Sequence, residues 1–169
     1  MKHIGILGGS FDPPHRGHIY ISLEAKKMLS LDQVWWLVTP QNPLKITRPA
    51  TYEERINDCY DIVKTHPILI KEFEKKINSK YSYYTIKYLC NHYSNIKFYW
   101  LMGADNLINF HKWHNWRKIP TLAKVVVFAR PNFSIKALKS VASKKLSKKD
   151  WIYINFTKFN ISSSKIKKI

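Results

Sequence analysis

Acidic residues are scarce in this chain: 11 Asp and Glu stand against 29 Lys and Arg, a formal net charge of +18 over 169 residues. Such an excess attracts polyanions, and nucleic acid is the first partner to consider. The basic residues form no recognised DNA-reading motif, however, and the richness in Lys, Ile, Asn and Tyr follows an AT-rich codon bias. The expectation is an anionic small substrate and no specific nucleic-acid partner. Cysteine is nearly absent as well. Cys59 and Cys90 match no metal or redox spacing and fall in helical stretches, so buried free thiols are expected. No apolar run approaches the length of a membrane span, and the opening MKHIGILGG is too soon interrupted by glycine for a signal peptide. A cytoplasmic protein without a membrane partner is expected. Two familiar phosphate-binding signatures are missing too: there is no GxxxxGK[ST] loop, and no GxGxxG with an acidic partner after the second strand.

What is present is an ordinary globular mixture, 45% hydrophobic and 24% charged, of a length that suits one domain over residues 1–169. Residues 3–8, 34–39, 68–71, 97–102, 124–129 and 151–156 read as strands, several of them continuously apolar, as in a parallel sheet covered on both faces. Helical patterns alternate with them. Over residues 17–29, Ile21, Ala25 and Met28 share a face. Thr51 opens the next helix with Glu54 completing a capping box, and Ile56, Tyr60 and Val63 form its stripe. Ile86, Leu89 and Tyr93 align over residues 83–93, short pieces follow Gly103 and flank Trp113 and Trp116, and a lysine-rich helix is expected near residues 135–146. This alternation predicts an α/β fold with a doubly wound, mostly parallel sheet, whose ligands sit at the carboxyl ends of the strands.

The first turn carries the chemistry. Between the first strand and the first helix stands Gly8-Gly9-Ser10-Phe11-Asp12-Pro13-Pro14-His15-Arg16-Gly17-His18. Gly8 and Gly9 would let backbone N–H groups approach a phosphate without a Cβ in the way. Pro13 and Pro14 stiffen the loop. His15 and His18, three apart at the helix entrance, can turn both imidazoles toward one anion, beside the positive potential of the helix N-terminus.

GGSFDPPHRGH resembles the signature of the HxGH nucleotidyltransferases, and the rest of the chain resembles the bacterial nicotinate-nucleotide adenylyltransferase family within that group. Pro43-Leu44-Lys45 is similar to the family's P-x-K turn, although histidine is frequent where Leu44 stands. Tyr84-Thr85-Ile86 matches Y-T-[IF], followed here by Lys87 and Tyr88 where Asp and Thr are usual. Arg55 matches an arginine of the second helix, Gly103-Ala104-Asp105 with Trp113 a G-A-D…W segment, and Arg130-Pro131 an R-P pair. Ile161-Ser162-Ser163-Ser164-Lys165-Ile166-Lys167 resembles I-S-S-T-x-I-R with lysine at its end. Relatives usually continue through a helix and tail, which the five residues after Ser164 would lack.

The resemblance implies a Rossmann-like nucleotidyltransferase fold. It also implies adenylyl transfer from ATP, with Mg²⁺ carried on its phosphates, to nicotinate mononucleotide in NAD biosynthesis. His15 and His18 would then donate to the α-phosphate. Gly9, Ser10 and Phe11 would hold the triphosphate, Ser162, Ser163 and Ser164 its outer phosphates, and Gly103 with Asp105 the ATP ribose. Lys45 and Arg130 are expected on the mononucleotide phosphate, and Thr85 and Trp113 around its ring. No protein-held metal is expected, and the oligomeric state is left open. Two alternatives remain at this point: a sibling HxGH adenylyl- or cytidylyltransferase, and a non-catalytic nucleotide or nucleic-acid binder on the same fold.

Overall fold

A computed structural model describes residues 1–40 and 50–155. Six strands form one parallel sheet: β1 (Lys2–Gly9), β2 (Gln33–Val38), β3 (Ile68–Lys71), β4 (Ile96–Gly103), β5 (Lys124–Phe128) and β6 (Trp151–Ile154), in the order β3-β2-β1-β4-β5-β6. Each strand expected from the apolar runs is present. The chain winds outward from β1 through β2 to β3, then returns to the other side of β1 as β4 and winds outward again. The reversal leaves a crevice at the carboxyl ends of β1 and β4, where a doubly wound sheet places its ligands.

Alternate side chains of each strand face opposite layers. Ile4, Ile6, Trp35, Phe98, Trp100 and Val125 pack under α4 (Ser82–His92), α5 (Ala104–Asn109), α6 (Ile119–Leu122) and two short helices, α7 (Ser134–Leu138) and α8 (Val141–Lys145). Leu7, Val34, Trp36, Leu101 and Val126 pack under α1 (Arg16–Met28) and α2 (Tyr52–Val63). A short α3 (Phe73–Ile77), absent from the sequence reading, follows β3. Both faces being covered explains why the strands are apolar without alternation.

Three sequence expectations need correction. In α1 the buried positions are Ile19, Ser22 and Ala25, while Met28 is 54% exposed. Ser22 turns inward because its hydroxyl is satisfied twice: it donates to the His18 carbonyl and accepts from the Trp36 indole N–H, each at 2.8 Å. In α2, Tyr60 points outward and Arg55 and Cys59 lie inside with Ile56 and Val63. The Thr51–Glu54 capping box is present as expected. The lysine-rich helix is two pieces, because Ser140 adopts extended backbone (φ −67°, ψ 162°) and accepts a hydrogen bond from the Ser143 N–H, a local alternative to continuing the helix. Both cysteines are free; burial pushes the Cys59 thiol up to about 12, so it stays protonated. Among the described residues no helix is long and apolar enough to cross a membrane.

Candidate active site

β1 ends at Gly9, and the loop that follows leads into α1. Phe11 sits in the left-handed region (φ 47°), and the Asp12–Pro13 peptide is cis. Phe11 is buried, stacking on Trp36 at a ring separation of 4.7 Å and supporting His18 at 4.8 Å. A left-handed conformation costs a non-glycine residue on the order of 1–3 kcal/mol and persists only where its surroundings hold it.

His15 is the N-cap of α1, and the two histidines cap that helix reciprocally. The His15 Nδ1 accepts from the Gly17 N–H, and the His18 Nδ1 accepts from the His15 N–H, both at 3.1 Å. The arrangement is a capping box built from imidazoles instead of hydroxyl and carboxylate. It has a chemical consequence. An Nδ1 that accepts is unprotonated, so in the neutral ring the proton resides on Nε2. Both rings are therefore N–H donors at Nε2, stacked with centroids 3.8 Å apart. Gly17, between them, is a steric requirement: a Cβ there would stand 2.9 Å from the His15 ring.

The structure gives Gly8 a packing reason that the sequence reading did not name. A Cβ on Gly8 would run into the ring edge of Trp100, with Cζ2 at 2.9 Å, so its role is close packing on the buried indole. Gly9 meets only Phe11, at an ordinary 3.5 Å. Of the pair, only Gly9 leaves the phosphate role as the reason for its missing side chain.

The opposite wall comes from the ends of β4 and β5. Gly103 ends β4 and caps α5, whose first turn carries Asp105; Arg130 follows β5. Arg130 Nη1 donates to Asp105 Oδ2 at 2.7 Å, and Asp105 Oδ1 is buried with no hydrogen-bond partner among the described residues. The pair reaches His15. Burial pushes the His15 imidazole below its usual range, Arg130 lowers it further, and Asp105 partly opposes them. Groups from three strand ends thus converge, with His15 held neutral at neutral pH. Arg130 was expected on the mononucleotide phosphate, whereas here its guanidinium engages the carboxylate expected at the ATP ribose.

Trp113 is half-buried, edge-on to Trp100 and Phe110, so it joins through Trp100 the indole on which Gly8 rests. Thr85 is wholly buried in α4 (0% exposed), within the wall rather than on its surface. The segments carrying Thr85 and Trp113 do meet, since the Tyr84 hydroxyl lies 3.2 Å from His114 Nε2 and their rings stack. Lys45, Ser162, Ser163 and Ser164 lie outside the described residues.

Sequence reasoning matched Arg55 to an arginine of the family's second helix but assigned it no task, and the signals for it were that match and its place one residue after the Thr51–Glu54 capping box. Among the described residues no group of three or more His, Cys, Asp or Glu could hold a metal ion. At the crevice the two Nδ1 atoms are committed to backbone and Asp105 Oδ2 to Arg130, which leaves Asp105 Oδ1 as a single carboxylate oxygen without a partner among the described residues. A resident Mg²⁺ does not fit that set.

The Cytidylyltransferase-like family model matches residues 6–169. A protein of Ruegeria sp. (strain TM1040) named "probable nicotinate-nucleotide adenylyltransferase" is 40% identical over 98% of this chain and 96% of its own length. One of the same name from Pelagibacter ubique (strain HTCC1062) is 44% identical over 98% of this chain and 92% of its own. In fold, the chain is similar to the Plasmodium falciparum nicotinic acid mononucleotide adenylyltransferase complexed with NaAD. That match has a TM-score of 0.77 at 21% identity and covers 98% of this chain and 82% of the other.

Proposed function

The chain belongs to the nicotinate-nucleotide adenylyltransferase family, and on that premise we propose that it transfers the adenylyl group of ATP to nicotinate mononucleotide, releasing pyrophosphate. A phosphate oxygen of the mononucleotide attacks the α-phosphorus of ATP. The bond from that phosphorus to the bridging oxygen breaks, and the electron pair leaves with pyrophosphate. The nucleophile is already anionic at neutral pH, so no general base is needed. The protein's work is to bring two anions together and to stabilise the charge that develops between them.

The observation that carries this reading is the reciprocal capping of α1, which makes Nε2 the proton-bearing nitrogen of both His15 and His18. Two donors beside a helix N-terminus suit the α-phosphate. No acidic residue stands in the first turn of α1 to oppose an anion there. Mg²⁺ enters as part of the substrate, bound to the ATP phosphates, and neutralises the departing pyrophosphate. Asp105, with a buried oxygen still to be satisfied, is the acceptor for the ATP ribose hydroxyls, and Arg130 holds that carboxylate in place. Lys45 is assigned to the mononucleotide phosphate, Ser162, Ser163 and Ser164 to the outer ATP phosphates, and Trp113 to the ring, all by the family motifs.

The deciding experiment supplies MgATP with nicotinate mononucleotide, nicotinamide mononucleotide, pantetheine phosphate or a CTP-dependent pairing, and measures pyrophosphate. Turnover is expected with nicotinate mononucleotide above the rest. Preference for another monoester would move the chain to a sibling activity, and no turnover with any would leave a binding protein.

Two narrower outcomes follow. Arg130→Ala should raise KM for ATP roughly tenfold, the scale of one charge-assisted hydrogen bond discounted for partial exposure, with KM for the mononucleotide little changed. The reverse pattern in steady-state kinetics would return Arg130 to the mononucleotide. Lys45→Ala should do the opposite, raising KM for the mononucleotide while sparing ATP; equal weakening of both would put Lys45 on the triphosphate.

A further inference from the structure

Among the described residues Arg55 is the only arginine with a fully buried side chain, at 1% exposure, and it sits in the first turn and a half of α2. Its guanidinium is occupied by main-chain carbonyls. Nε donates to Ala50 O at 3.1 Å, Nη1 to Ser10 O at 2.6 Å and Thr39 O at 2.8 Å, and Nη2 to Pro40 O at 2.8 Å. Those four carbonyls come from three separate places: the loop after β1, the exit of β2 and the approach to α2. The planar fork suits the task, because it fixes the directions of several acceptors at once, as a lysine ammonium cannot.

Two consequences reach the reaction. In a trans peptide the carbonyl and the following N–H point in opposite directions. With Ser10 O drawn onto the guanidinium, the Phe11 N–H is aimed away from it, in the loop assigned to the ATP phosphates. The same residue, Phe11, is the one in a left-handed conformation, which the Ser10 anchor on one side and Trp36 on the other hold in place. Arg55 also grips Pro40 and Ala50, the two residues bordering the segment that contains Lys45. One guanidinium therefore ties the loop after β1 to the exit of β2 and to the approach to α2.

We propose that Arg55 is a positioning residue that sets the ATP loop, Pro40 and Ala50 relative to one another, a reading that rests on the function proposed above. Its loss should weaken both substrates together, unlike Lys45 or Arg130, each assigned to one.

Arg55→Met and Arg55→Lys are compared with the wild type for melting temperature, for Kd of a non-hydrolysable ATP analogue by calorimetry, and for KM of each substrate well below the melting temperature. The Met variant keeps the volume and loses every donor; the Lys variant keeps a charge and some donors. In folded Arg55→Met, KM for both substrates and the analogue Kd should rise on the order of tenfold to a hundredfold, the scale of a misplaced binding frame. Arg55→Lys should recover part of that loss. Constants within about twofold of wild type in a folded Met variant, or a rise confined to one substrate, would overturn the proposal. So would loss of the fold in both variants, which would make Arg55 a folding determinant only. Wild-type protein that binds the analogue but turns over no nicotinate mononucleotide would refute the substrate assignment instead, and the analogue Kd would still decide the role of Arg55.

Discussion

Replacing His15 or His18 with asparagine should lower kcat on the order of 10²–10³, the cost of removing one preorganised donor from developing charge, while leaving ATP binding nearly intact. Asparagine is the informative substitution. Each histidine does two things here: its Nδ1 accepts a backbone N–H of α1, and its Nε2 carries the proton offered to the anion. Alanine removes both, and loss of a cap alone costs typically about 1 kcal/mol of stability. Asparagine keeps an acceptor near the Nδ1 position and cannot extend a donor to where Nε2 stands. The melting temperature should therefore stay close to wild type in the asparagine variants and fall in the alanine ones, with kcat depressed in all four. Asparagine variants of normal melting temperature and near-normal turnover would remove the histidines from the transition state and leave them as helix caps.

Gly8→Ala should destabilise the fold by about 1–3 kcal/mol, the usual cost of forcing extra volume into a packed core. The new methyl group would meet the six-membered ring of Trp100, which is itself buried between β1 and β5 and has nowhere to retreat. For a chain of this size the melting temperature should drop by roughly 2–4 °C per kcal/mol. Gly8→Ala combined with Trp100→Phe, which withdraws that ring edge, should recover part of the loss, so the pair should be non-additive in calorimetric melts. A phosphate-contact role for Gly8 predicts the contrary result, a raised KM for ATP at unchanged stability with no relief from Trp100→Phe.

Gly8 illustrates how a motif residue can have a reason that the motif does not show. Both glycines belong to GGSFDPPHRGH, and from the string alone each has the same claim on a phosphate. Only the packing distinguishes them, because the direction of the missing Cβ depends on which strand lies alongside. Arg55 is the reverse case. Its position in the chain fits a solvated charge near a helix start, and nothing local marks four carbonyls from distant loops as its partners. Tyr60 failed for a related reason: hydrophobic periodicity puts a tyrosine inside, whereas the buried stripe accommodates an arginine because four of its N–H groups donate to main-chain carbonyls.

By itself the sequence determined the six strands, their parallel arrangement, the capped helices and the loop that bears the histidines. Each of these is written in local terms: apolar runs of strand length, a threonine three residues before a glutamate, glycine and proline at a turn. Family membership is equally local, since motifs survive as strings. The tertiary structure alone decided which histidine nitrogen bears the proton, that Arg130 belongs with Asp105, and that Gly8 answers to Trp100. It alone brought the Ser10, Thr39, Pro40 and Ala50 carbonyls onto one guanidinium. These are pairings between residues as far as 92 positions apart in sequence, from Gly8 to Trp100. Their energy depends on distance and direction in space, and a one-dimensional pattern of residue types carries neither.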